Sequence, residues 1–231
     1  MIPIRDTLQA SRTPLVNYAL IALCALAFAR ELAAGPELES FVTEYALVPA
    51  RFSALLARHG ALDLALYAPF VSSMFLHAGV AHFVGNMLFL WIFGDNVEDR
   101  LGHVKYLLFY LLCGLGASAA HIYFNWGSRI PSVGASGAIA GVLAGYLLLF
   151  PSATIRTLIF LGWFPVMTRV PALIMIGFWF VTQLLSGVAA LGQVEQTSGV
   201  AFWAHIGGFV IGLPLALLMR RPQRTGHYSY R

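Results

Sequence analysis

The chain has 231 residues, of which 59% are hydrophobic and only 10% charged, with a mean hydropathy of +0.76. These values exclude an ordinary soluble domain and point to a polytopic membrane protein. The net charge of +4 invites a nucleic-acid partner, but Lys and Arg sit at the ends of apolar stretches, the pattern that orients a membrane protein, and no nucleic-acid site is read.

Arg5 and Arg12 precede the first apolar stretch, whose end Ala27-Phe28-Ala29 resembles a signal-peptide cleavage site; the same flanks suit a retained anchor, which is the reading adopted. Six apolar stretches of about the ~20 residues that cross hydrocarbon predict transmembrane helices near 15–34, 73–94, 104–126, 135–150, 170–191 and 200–219. Together they form one all-α membrane domain over residues 1–231. Residues 35–70 are too polar to span and predict an outer loop with short interfacial helices around Val48 to Leu66. Gly94 to Gly102, charged and bracketed by glycines, predicts a compact cytoplasmic turn. Pro151 halts the fourth helix, Pro165 and Pro171 interrupt the next apolar run, and Thr157 to Phe164 is placed at the inner interface. Residues 220–231 form a basic tail. With both termini cytoplasmic, ten Lys and Arg residues lie inside, against Arg30, Arg51, Arg58 and Arg129 outside.

Polar side chains are costly in lipid, so Ser136 in Gly134-Ala135-Ser136-Gly137 and His205 in Ala204-His205-Ile206-Gly207-Gly208 are the first candidates for chemistry. At about 1.5 Å per residue, counted from inner ends at Phe150, Met219 and Gly94, Ser136 and His205 lie roughly 21 Å up and His82 roughly 18 Å up, within a core of about 30 Å. A helix starting at Ser136 is too short to span, so residues 127–135 must enter the membrane as irregular backbone, tolerated only where protein buries it or a watery cavity meets it. Gly137, Gly141 and Gly145 on one helix, and Gly208 and Gly212 on another, form small-residue seams that let backbones approach.

A serine hydroxyl needs a base, and imidazole is the usual one. No Asp or Glu is read inside the spans, so the reading is a Ser136–His205 dyad, with the partner that orients His205 unidentified. For an oxyanion, the Ser136 backbone N–H lies at a helix start, and His82 and Asn86, spaced i and i+4, supply two further donors. The alternative for His82 and Asn86 is a structural bond to each other or to backbone. No metal site and no cofactor are read: His-Glu-x-x-His is absent, His121 lacks an evident partner for haem, and Cys24 and Cys113 read as small core residues.

Taken together, Phe75-Leu76-His77 leading to His82-x-x-x-Asn86, the run Gly94 to Gly102, Gly134-Ala135-Ser136-Gly137 with Gly141, and Ala204-His205-x-x-Gly208-x-x-x-Gly212 resemble the rhomboid intramembrane serine proteases over Phe70 to Met219. The resemblance implies Ser136 as nucleophile, His205 as base, and His82 and Asn86 as oxyanion ligands. It also implies transmembrane proteins as substrates, cut near their outer end in the bilayer, here in a bacterial inner membrane. Two positions depart from the pattern. Ala140 stands where some members place an aromatic against the base, so His205 must be held differently, and no Trp occurs between Gly35 and Ala81. A loop around Ala189 to Gly199 and the fifth span are read as the gate. A non-catalytic membrane binder is the rival class, disfavoured by the presence of both Ser136 and His205, and a transporter is disfavoured by the lack of midplane carboxylates. Oligomeric state and physiological substrate are not legible.

Overall fold

A computed structural model describes residues 1–191 and 201–222. The described chain is mostly helical. Strand β1 (Ile2–Asp6) precedes α1 (Leu15–Ala33), then come α2 (Leu38–Tyr45), α3 (Pro49–His59), α4 (Ala68–Ser72), α5 (Val80–Leu101), α6 (His103–Phe124) and α7 (Ser136–Leu149). A hairpin, β2 (Thr154–Leu161) and β3 (Phe164–Pro171), leads to α8 (Ala172–Ala189) and α9 (Phe202–Met219).

By length and composition α1, α6, α8 and α9 can each cross a membrane, and α5 joined to the segment 64–75, bent by 85°, makes a fifth. The sixth apolar helix, α7, has 14 residues, about 21 Å, short of the ~30 Å core. Six full spans are therefore not seen among the described residues, and the shortfall falls where a helix starting at Ser136 placed it. Between α1 and α5, the helix α3 falls within the stretch around Val48 to Leu66 where short helices are expected, and α2 lies before it. The proposed gate loop lies largely outside the described residues, as does most of the basic tail.

Two expectations need correction. The second helix starts at Val80, not Ser73, and runs through the expected turn to Leu101, ending only at Gly102 with φ +84°. The charges that suggested a turn are used inside the fold: Glu98, 1% exposed, accepts the N–H groups of Val16 and Asn17 at 2.9 and 2.7 Å. It thereby caps the start of α1, where helix amides lack partners and the dipole favours an anion. Gly94 lets α1 approach, since a Cβ there would overlap the Asn17 side chain.

The second correction is to the all-α class. The stretch expected at the inner interface is a β-hairpin, and β1 completes an antiparallel sheet of order β1-β2-β3. Ile155, Thr157 and Ile159 alternate with Arg156 and Leu158, and Gly162 at φ +62° opens the turn, a hairpin signature read instead as an apolar run broken by prolines.

The core lies where α6, α7 and α9 meet. α7 and α9 are in backbone contact along the two glycine seams: a Cβ on Gly212 would come within 2.6 Å of the Gly141 Cα, and one on Gly208 would overlap the Gly137 carbonyl. Cys113 fills the space beside Gly141, and both cysteines are free and buried. This contact brings the beginnings of α7 and α9 together.

Candidate active site

Ser136 opens α7 and His205 lies in the first turn of α9. Because the glycine seams bring these helices to backbone contact, the two side chains meet: His205 Nε2 stands 2.7 Å from Ser136 Oγ. The other ring nitrogen, Nδ1, is 2.7 Å from Gln183 Oε1 on α8. An amide oxygen only accepts, so Nδ1 carries the proton and Nε2 presents its lone pair to the serine hydroxyl. The ring also packs beside Trp179, with centroids 5.7 Å apart. Trp179 and Gln183 are four residues apart and share one face of α8. These two side chains answer how His205 is held with Ala140 in place of an aromatic.

Gln183 is absent from the sequence-based candidates because, unlike Ser136 and His205, it sits in no motif, and its partner becomes visible only when α8 packs beside α9. It is the sole amide side chain of α8, and an intramembrane polar residue is itself a signal of a site. The expectation that no carboxylate orients His205 agrees with this geometry, although acids do occur inside the helices. Glu31 of α1, 3% exposed, accepts the His77 N–H at 3.0 and 3.1 Å, and so fixes the chain just before α5.

His82 sits in the first turn of α5. The Ala78 N–H donates to its Nδ1 at 3.3 Å, which leaves the proton on Nε2 as a donor. That edge of the ring lies over Gly134, where a Cβ would come 2.9 Å from Nε2 and where φ is +127°, so both the backbone and the ring call for glycine. One turn further, Asn86 Nδ2 is buried with no hydrogen-bond partner among the described residues. A buried donor without a partner is rare and calls for an explanation. Of the structural alternatives, a bond between His82 and Asn86 is not seen among the described residues, whereas His82 does take a backbone bond, from the Ala78 N–H. The depth count for His82 began from the wrong inner end of its helix, yet His82 still reaches the layer of Ser136.

His82, Asn86, Ser136 and His205 line one cavity of about 500 Å³, together with His121 and Trp179. Residues 130–133 form part of its wall, and that segment is irregular, as expected. It is pinned by the Leu47–Ser132 pair at 3.1 and 2.8 Å and by the Gly134 N–H on the Ser73 carbonyl at 2.8 Å. Among the described residues no group of three His, Cys, Asp or Glu is placed to hold a metal ion.

A family model described as the Rhomboid domain matches residues 65–222. The chain belongs to the rhomboid family. Similar proteins include RHOMBOID-like protein 4 of Arabidopsis thaliana, 35% identical over 69% of this chain and 35% of its own length. RHOMBOID-like protein 6, mitochondrial, of the same plant is 29% identical over 70% of this chain and 46% of its own length. The rhomboid protease GluP of Bacillus subtilis (strain 168) is 34% identical over 64% of this chain and 25% of its own length. The chain thus matches less than half the length of each. With its apolar helices and this rhomboid membership it is an integral membrane protein.

Proposed function

We propose that this rhomboid is an intramembrane serine endopeptidase that cleaves transmembrane segments of membrane proteins near their outer end, with Ser136 as nucleophile and His205 as base. The observation that carries the reading is the 2.7 Å approach of His205 Nε2 to Ser136 Oγ in a cavity also lined by His82 and Asn86. Ser136 Oγ attacks the carbonyl carbon of the scissile bond while His205 Nε2 takes its proton. The resulting oxyanion is met by the Ser136 N–H, the Nε2–H of His82 and the Asn86 amide, donors in place before charge develops. As the C–N bond breaks, the imidazolium returns its proton to the leaving amine. A water then attacks the acyl-enzyme, losing a proton to His205, and as the ester C–O bond breaks the imidazolium returns that proton to Ser136 Oγ, releasing the acid and the free serine. Gln183 holds the Nδ1–H throughout.

Beyond that water, the scheme uses only the protein's own side chains and backbone. The arginines that follow α7 and precede α8, Arg156 and Arg169, favour a cytoplasmic position for the end of the molecule opposite Ser136. On this reading the cavity lies in the outer half of the bilayer and both termini inside, with a bacterial inner membrane as the proposed setting. Cleavage of a single-pass reporter reconstituted with the protein tests the proposal. Ser136→Ala and His205→Ala are expected to lower the rate by at least ~10³-fold, as loss of a nucleophile or its base does. Cleavage by Ser136→Ala at the parent rate would refute it.

A further inference from the structure

The β1-β2-β3 sheet takes no part in the chemistry above, and its two faces differ. Arg5 pairs with Arg156 and Arg156 with Arg169, so three arginines from three strands stand in one row across the sheet. Directly paired residues project from the same face, and like charges so placed weaken strand pairing unless something offsets them. The next row on that face is Ile2, Leu158 and Met167, followed by Phe160 beside Pro165. At the tip Trp163 is 97% and Phe164 76% exposed. The opposite face is buried on β2, with Ile155 and Thr157 inaccessible, whereas its β3 residues Phe164 and Val166 are exposed.

Among the described residues nothing offsets the arginine row. Every acid at this end is engaged elsewhere among the described residues. Asp6 accepts from Asn96 and Tyr146, Asp95 from Asn96, Glu98 from Val16, Asn17 and His103, and Asp99 from Ser11. Residues 223–231 contain no Asp or Glu. The height of the row is set by connectivity: Thr154 pairs with Pro171, and the Ala172 N–H bonds the Ala153 carbonyl, so the hairpin base joins the ends of α7 and α8. Arg156 and Arg169 lie only two residues from that base, so the row starts at the inner end of the helices, beside the headgroup layer that flanks the ~30 Å hydrocarbon core.

We propose that the sheet lies along the adjoining leaflet with this arginine-bearing face docked onto anionic lipid headgroups and Trp163, at the tip, seated at the boundary between headgroups and acyl chains. Guanidinium groups match phosphate oxygens, and aromatic rings favour that boundary. The association does not depend on the reaction assigned to Ser136.

The test uses the full chain carrying Met167→Cys, labelled with an environment-sensitive fluorophore; Cys24 and Cys113 are buried and stay unlabelled. The protein is reconstituted in phosphatidylcholine vesicles with or without phosphatidylglycerol. Docking is expected to shift the emission to the blue and expose the label to lipid-borne quenchers in phosphatidylglycerol only. The shift should fall at least twofold at about 1 M salt, where the screening length is ~3 Å, and equally in the Arg5→Gln, Arg156→Gln, Arg169→Gln triple variant. Equal exposure of the label to water in both vesicles, or a triple variant that behaves as the parent, overturns the proposal. Shielding in phosphatidylcholine alone that disappears on dilution of the protein in lipid would identify a second copy of the chain as the occupant, and overturns it too.

Discussion

At the scale of single residues, the least expected feature is Gln183. A serine and histidine alone leave the imidazole free to present either nitrogen, and the wrong tautomer has no lone pair for the serine proton. With its amide oxygen 2.7 Å from Nδ1, Gln183 removes that freedom. It is a positioning residue in the proposed reaction. Gln183→Leu keeps the size of the side chain and deletes the acceptor. The expected result in the reporter assay is a kcat lowered about 10- to 100-fold with KM within about twofold, the signature of an interaction that matters mainly in the transition state. Gln183→Glu retains an oxygen at that point and is expected to keep most of the activity. If the Leu variant turned over like the parent, or lost activity only through a higher KM, the positioning role would fail. Ser136 and His205 were legible because a polar group in lipid stands out by its type. Gln183 was not, since its role emerges only when α8 is laid against α9.

At the scale of elements, β1 is paired with β2 and is also tied to the helices by a carboxyl, that of Asp6. Asp6 Oδ2 accepts from Asn96 Nδ2 of α5 at 2.8 Å and from the Tyr146 hydroxyl of α7 at 2.7 Å. Burial raises the Asp6 pKa from its ordinary 3.8 to about 7. The folded protein therefore binds a proton there that the unfolded chain has released, so stability falls as pH rises from about 4 to about 7 and levels off above. Asp6→Asn keeps an acceptor oxygen and removes the titration. Thermal unfolding in detergent is expected to show a flatter pH dependence over that window, with the variant a few degrees more stable than the parent above pH 7. Variant and parent curves that run parallel from pH 4 to 8 would contradict this. Elements defined by local pattern were readable: α7 begins at Ser136 as the glycine-rich sequence suggests, and the seams of α7 and α9 follow from their four-residue spacing. The α5 extension was obscured because Gly94 serves helix contact here, whereas in a charged stretch it imitates a turn. The sheet was obscured because its third strand comes from the first six residues, a pairing across some 150 positions that no local pattern announces.

At the scale of the whole molecule, a rhomboid helix bundle places a short helix, a glycine-lined crossing and an irregular outer segment around one cavity. On the proposed reading, water reaches a hydroxyl that lipid would otherwise seal off, because backbone that enters a membrane at residues 127–135 must be bounded by protein and cavity rather than by acyl chains. The opposite end is basic and carries the sheet, so the molecule is asymmetric in charge as well as in chemistry. The central claim is that Ser136 is a nucleophile activated by His205. Its most direct test is treatment of the membrane-embedded protein with a fluorophosphonate, followed by mass spectrometry to locate the adduct. The expected result is a single phosphonylated serine at Ser136, formed in the parent and lost in His205→Ala. An unmodified Ser136 in the parent, or a Ser136 labelled equally fast without His205, would contradict the claim.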